Sequence, residues 1–180
     1  MEAELSIRRQ VLNRIRSFNR EYFNPFAMSF AGRSGDYWSV VQHTGRRSGK
    51  RYTTPVIASL QDSSAIIPLP YSRNTDWAKN VMATGGCTLI HQGKVYTASQ
   101  PEIITIVEGG PAFSGTIQDM LERWGTQSCM RFGELSEAQD GEAIYQAFVQ
   151  ANPRERGVWV LATAAFLLVG IVILLRSRKK

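Results

Sequence analysis

The chain has 180 residues, enough for one domain and an appendage. Lys and Arg outnumber Asp and Glu by 21 to 15, a net charge of +6, but Arg176, Arg178, Lys179 and Lys180 crowd four of those charges into the last five residues and leave +2 elsewhere. That balance is too mild to argue for a nucleic-acid partner. The two cysteines, Cys87 and Cys129, stand in no metal or redox spacing and read as free buried thiols.

Met1–Gln10 is charged from its second residue and has no apolar core, so no secretory signal is expected there. Ile7, Val11, Ile15, Phe18 and Tyr22 recur at helical spacing, with Arg8, Arg9, Arg14, Arg16 and Arg20 on the other faces. This predicts an amphipathic helix over residues 1–25, stopped near Asn24 because Pro25 disfavours helical geometry before it. Such a helix packs on a sheet or partner, or lies on anionic lipid. A loop over Phe26–Gly35 follows. Strand-like runs then come in close succession: Tyr37–His43, Tyr52–Leu60, Ala65–Leu69, Cys87–His91 and Lys94–Ala98, the last two joined by a tight turn at Gln92-Gly93. Their spacing predicts an antiparallel sheet or small barrel. One helix interrupts them, capped by Thr75 or Asp76, with Trp77–Ala83 as its body and Gly85-Gly86 as its stop. Trp77 and Asn80, three apart, share one of its faces. Beyond Pro101 the signals weaken. Gly109-Gly110-Pro111 is a break, Thr116–Trp124 has helical character, and Ser136–Ala151 reads as a helix capped by Ser136, with Ala143, Ala147 and Phe148 inward.

The stretch His43–Pro55 organises the rest. Between two predicted strands, Gly45 and Gly49 bracket Arg46, Arg47 and Ser48, and Lys50 and Arg51 follow at once. A glycine-flanked turn exposes successive N–H groups that make a nest for an anion, and Arg adds a planar fork for phosphate or carboxylate. A solvated hairpin tip is the plain alternative. A Walker loop is excluded, since it needs four residues between its glycines and a Ser or Thr after the Lys; here three intervene and Arg51 follows Lys50.

At the other extreme, Val158–Leu175 runs 18 residues without a charge and ends in a basic stop. About 20 apolar residues span a bilayer, with about 17 as the lower limit, so residues 153–180 are expected to form a single-pass membrane anchor with a basic tail. With no secretory signal expected, the domain over residues 26–152 is assigned to the cytoplasm, although the cationic tail favours the opposite orientation.

Taken in order, Thr44-Gly45-Arg46-Arg47-Ser48-Gly49-Lys50, Thr54-Pro55-Val56, Asp76-Trp77 with Asn80-Val81, and Ala83 with Gly85-Gly86-Cys87 resemble the deazaflavin-dependent nitroreductase family, also described as F-420H2-dependent quinone or nitro reductases. The resemblance runs from about Arg16 to Pro101. It implies a mainly β fold, a split β-barrel of the FMN-binding type with flanking helices, which here would carry the C-terminal transmembrane helix. It implies coenzyme F-420 as cofactor, with FMN the alternative because it too presents a phosphate. By the same resemblance Arg46, Arg47, Ser48, Gly49 and Lys50 grip the cofactor's phosphate, Pro55 belongs to its cleft, Trp77 lies against the ring or the cleft wall, Asn80 is a hydrogen-bonding partner of the cofactor or the turn, Ser72 lies in the segment near the ring, and Tyr71 is the candidate catalytic contact. Arg51-Tyr52 departs from members that carry Pro-Arg there, and the anchor is not a general family feature. Pairing into a homodimer is also implied.

The leading functional expectation is therefore a membrane-anchored oxidoreductase passing hydride to a quinone or nitro-type acceptor, with the cofactor carrying the chemistry. One rival is a non-catalytic flavin- or haem-binding protein at the membrane; for His43 and His91, the only histidines, an ordinary packed or hydrogen-bonded role is favoured over haem ligation. Another is a lipid-surface adaptor using the basic helix and turn.

Overall fold

The computed structural model describes residues 27–70 and 72–153. The predicted helix over 1–25, the span over Val158–Leu175 and Tyr71 lie outside them. Among the described residues no helix is long and apolar enough to cross a membrane.

Seven strands form one antiparallel sheet: β1 (Trp38–Thr44), β2 (Arg51–Ile57), β3 (Ser59–Gln61), β4 (Ser64–Pro68), β5 (Gly86–His91), β6 (Lys94–Thr105) and β7 (Ser128–Glu137). Their spatial order is β2-β1-β5-β6-β7-β4-β3. The two outermost strands, β2 and β3, are separated in sequence by Ala58 alone. One residue of chain cannot bridge a flat seven-stranded sheet, so the sheet curls until its edges meet at that corner. The result is a curled half-barrel. The predicted single strand over Tyr52–Leu60 is thus two strands, divided at Ala58 and lying on opposite edges.

Side chains on the concave face make one cluster. Val41, Val56, Ile67, Leu89, Ala98 and Phe132, drawn from six strands, pack with Ala78 and Val81 of helix α1 (Asp76–Thr84). Helix α1 therefore plugs the half-barrel. The convex face is covered twice. Helix α4 (Gly141–Ala151) and Met28 and Ala31 lie over Val40, Ile90 and Val95. Short helix α2 (Ile106–Gly109), the 3-10 turn Gly110–Ala112 and helix α3 (Gly115–Arg123) cover Ile66, Ile104 and Cys129.

The two longest strands change face together. In β6, Tyr96 and Ala98 point into the main cluster, but so does Ile103; in β7, Met130 and Phe132 do, but so does Leu135. Strict alternation would forbid both sets. The switch falls between the rungs Ser99↔Glu134 and Pro101↔Phe132, where Gln100 has φ +55 and a Cβ on Gly133 would come 3.2 Å from Gln100 Oε1. A strained residue facing a glycine bends both strands at one rung and coils the sheet.

Two sequence expectations are corrected here. The strand predicted over Lys94–Ala98 continues through Pro101 to Thr105. Ser136 is not a helix cap but a residue of β7 paired with Thr97, and the helix starts at Gly141 behind Asp140.

Candidate anion site at the turn between β1 and β2

The loop from Thr44 to Arg51 closes on itself. Gly45 N–H donates to Lys50 O at 2.8 Å and Gly49 N–H to Gly45 O at 2.8 Å. Gly49 has φ +64, a conformation that suits glycine. Gly45 is required for space instead: a Cβ there would lie 2.5 Å from Ser48 Oγ and 2.7 Å from the Tyr52 ring. Ser48 Oγ sits 3.1 Å from Tyr52 Oη and accepts the Lys50 N–H at 3.3 Å.

Helix α1 braces this turn from below. Asn80, 5 % exposed, accepts on Oδ1 from the Arg46 backbone N–H at 3.2 Å and from Arg46 Nη1 at 2.7 Å. The same guanidinium donates from Nη1 to Asp76 O at 3.4 Å and from Nη2 to Asp76 Oδ1 at 3.1 Å. Three of its five N–H groups are thus engaged by the helix, and the Nε–H and one Nη2–H remain. Two donors converging on Asn80 Oδ1 fix the amide's orientation. Its Nδ2 must then donate to His43 Nδ1, 3.2 Å away. That makes Nδ1 the unprotonated nitrogen, so Nε2–H donates to Thr54 Oγ1 at 3.3 Å. Burial drives the His43 pKa down to about 4, with the Asp76 charge opposing it weakly, and the neutral ring stacks on Tyr52 at 5.7 Å. One continuous chain of contacts, Asp76–Arg46–Asn80–His43–Thr54, ties the turn, α1 and both strands together.

What the turn offers to a ligand is the remainder. Among the described residues, no hydrogen bond takes the backbone N–H of Arg47 or of Ser48, and Arg47, Lys50 and Arg51 are exposed with no carboxylate partner. Two successive free N–H groups beside three unpaired cations meet the requirement for an anion nest.

The other expected site residues fall into place unevenly. Trp77 is half-buried against the main core. Pro55 is buried on edge strand β2 opposite Val40, and an edge strand is where a sheet accommodates proline. Ser72 has φ +117, its Oγ accepts the Asn74 N–H at 3.0 Å, and its carbonyl accepts the Thr75 N–H at 3.3 Å. A serine in that region costs about 1–3 kcal/mol, borne here by the loop that delivers α1. Thr75 is the α1 N-cap by backbone geometry, but its hydroxyl makes no cap bond. His43, Thr54 and Tyr52 were not singled out by sequence as parts of one network. Their alternation with Val41 and Val56 was the available signal, since it puts His43 on the inward face. The second histidine, His91, is also hydrogen-bonded: its Nδ1 lies 2.7 Å from Ser39 Oγ, and burial lowers its pKa.

No family model matches the sequence, and the search of curated proteins finds no relative. Among solved structures the fold is similar to Atu2129, a protein of unknown function from Agrobacterium tumefaciens str. C58, with 11 % identity over 67 % of this chain and 57 % of that one and a TM-score of 0.41. It is similar to the same degree to a heme binding protein from Mycobacterium smegmatis, with 10 % identity over 68 % of this chain and 59 % of that one and a TM-score of 0.41. The chain thus spans less than two thirds of either protein's length, and likeness at this level concerns the path of the backbone alone.

Proposed function

We propose that this chain is a flavin- or deazaflavin-binding oxidoreductase, held at a membrane by Val158–Leu175, with the turn between β1 and β2 gripping the cofactor's phosphate. The observation that carries this reading is the division of labour in the turn. Arg46 is largely used to lock the turn onto α1, while the N–H groups of Arg47 and Ser48 and the side chains of Arg47, Lys50 and Arg51 are left for an anion. A solvated hairpin tip has no need of a buried buttress. The ordered motifs from Thr44 to Cys87 favour coenzyme F-420 over FMN, and both present the phosphate that the nest requires.

Bound in its reduced form, either cofactor supplies a hydride for an electron-poor acceptor. The protein's part is to hold the phosphate at residues 46–50, to wall the cleft with Trp77 and to exclude water. The Tyr71 hydroxyl or solvent supplies the proton that accompanies the hydride. A tethered domain meets lipid-soluble acceptors at high effective concentration, which favours a quinone over a soluble nitro compound.

The test is a fluorescence titration of the full chain in lipid nanodiscs with coenzyme F-420 and with FMN, repeated on Arg47→Ala and Lys50→Ala. The expected result is binding of one cofactor, weakened about tenfold by each change, as a lost charge-assisted contact of about 1.5 kcal/mol implies. Turnover with a quinone should follow. Binding of neither cofactor would refute the proposal; binding indifferent to both substitutions would remove the turn from it.

A further inference from the structure

Tyr52 is a large aromatic residue that the fold leaves 44 % exposed, and yet its ring is held on two sides. It stands directly across the β1–β2 ladder from His43 and stacks on that ring, with centroids 5.7 Å apart and planes inclined by 21°. His43 is itself fixed, because Asn80 and Thr54 engage its two ring nitrogens. The edge of the Tyr52 ring lies over Gly45, where a Cβ would come 2.7 Å from it. The phenol is thereby carried back over the turn to Ser48 Oγ, 3.1 Å away.

Ser48 Oγ already accepts the Lys50 N–H at 3.3 Å, which leaves it one lone pair and its own hydrogen. The two hydroxyls carry two hydrogens and share one hydrogen bond, so one O–H is left over whichever way that bond runs. The phenol is the more acidic group and the aliphatic oxygen the better acceptor, so Tyr52 donates. Both lone pairs of Ser48 Oγ are then filled, and its O–H is the group left over. A hydroxyl that accepts twice is polarised toward donating. Ser48 is exposed, and the backbone N–H groups of Arg47 and Ser48, which no hydrogen bond takes among the described residues, lie on the same turn.

We propose that Tyr52 is a positioning residue of the anion site: by donating to Ser48 Oγ it commits the Ser48 hydroxyl to donate in turn to the phosphate held at the turn. This rests on the reading of the turn as a phosphate site. Phenylalanine at position 52 would keep the stack on His43 and the cover over Gly45. It would free the second lone pair of Ser48 Oγ for water, and the Ser48 O–H would no longer be set toward the ligand.

The test titrates the full chain in zwitterionic lipid nanodiscs with inorganic phosphate at low salt, followed at the amide resonances of Arg47 and Ser48. It is run on the unaltered protein, Tyr52→Phe, Ser48→Ala and the double variant. The unaltered protein should bind with a dissociation constant on the order of millimolar for so small a ligand. Ser48→Ala should weaken binding about tenfold, the worth of one hydrogen bond to a charged group. Tyr52→Phe should weaken it about threefold, because the donor remains but is no longer held or polarised. The double variant should bind as Ser48→Ala does, since Tyr52 acts only through that hydroxyl. The decline of affinity with added salt should be the same with and without the phenol, because no cation has moved; a phenol that only kept the loop in shape would alter it by displacing Arg47 and Lys50. Unchanged affinity in Tyr52→Phe, losses that multiply in the double variant, or an altered salt dependence would each overturn the proposal and leave the phosphate site standing. An unaltered protein that binds no phosphate would overturn the site itself, and the role of Tyr52 with it.

Discussion

The two histidines occupy equivalent settings and are treated differently. His43 on β1 and His91 on β5 each stand two residues beyond a member of the inward-facing rung Val41↔Leu89 and so share its face. Burial lowers the pKa of each. His91 is satisfied by a single hydroxyl, Ser39 Oγ. His43 has both ring nitrogens engaged and ends a chain of contacts that reaches the protein surface through Asn80, Arg46 and Asp76. The lesson is that burial of a histidine does not mark a site. What sets the candidate at His43 apart is that its hydrogen bonds continue outward to a turn in which, among the described residues, no hydrogen bond takes the N–H of Arg47 or of Ser48.

The contrast can be broken most forcefully at Asn80. Asn80→Ala removes the acceptor of the Arg46 N–H and guanidinium and the donor to His43 at once. Each orphaned buried group costs about 1–3 kcal/mol, so the loss should be about 2–4 kcal/mol in urea unfolding. Ser39→Ala orphans one ring nitrogen and should cost about 1 kcal/mol. Equal losses would show that the His43 chain does not act as a unit. Gly45→Ala comes next. Its Cβ would displace Ser48 Oγ and the edge of the Tyr52 ring, neither of them backbone, so about 1–2 kcal/mol is expected. Phosphate affinity at the turn should fall with it.

Acid sharpens the comparison further. His43 has a folded-state pKa of about 4, below the ordinary value of about 6.5 for the unfolded chain. Between these values the unfolded state binds the proton and the folded state does not, so stability rises with pH. Falling pH should therefore cost stability from about 6.5 down to about 4, and level off below. Allowing for solvent screening at a site near the surface, the loss is on the order of 1–2 kcal/mol. His91 contributes in the same direction. The difference between the protein and His43→Gln, measured by urea unfolding across that range, isolates the His43 share; parallel curves would show that His43 titrates normally.

Much of this was legible before the fold was known. The glycine-bracketed turn, the helix starting at Asp76 and the hairpin at Gln92-Gly93 are local events written in local residues. The nearly correct bounds of β1, β4 and β5 follow from runs with an apolar face. Strand β7 escaped notice because Cys129 packs under α3 while Met130 and Phe132 enter the main core. A strand buried on both faces shows no alternation, and the change of face at Gly133 erases what period remains. Ala58 was equally silent: Tyr52–Leu60 is one run of β-formers, and only closure of the sheet requires it to divide. For the site, the resemblance offered Asn80 as a hydrogen-bonding partner of the cofactor or the turn, but nothing in the sequence named Arg46 as the residue it holds. The spacing of 34 residues between them says nothing of contact, and Arg46 read as a gripping cation when much of its fork is spent on α1.

The smallest expected effect separates charge from geometry. The Asp76 side chain is 88 % exposed while that of Arg46 is 25 % exposed, so their ion pair sits in water on one side and should contribute at most about 0.5 kcal/mol to stability. Asp76→Asn keeps an oxygen in reach of Nη2 and removes only the charge. If the turn binds anions, that negative charge beside it is a penalty: at about 8 Å in water-like surroundings two unit charges interact by about 0.5 kcal/mol. The substitution should therefore tighten phosphate binding about twofold at low salt, and the gain should vanish near 0.5 M salt as screening shortens the range to a few ångströms. Weaker binding instead would mean that the carboxylate earns its place by orienting the Arg46 fork. The two N–H groups that Arg46 keeps free would then be ligands in their own right, and the buttress and the nest would be one device.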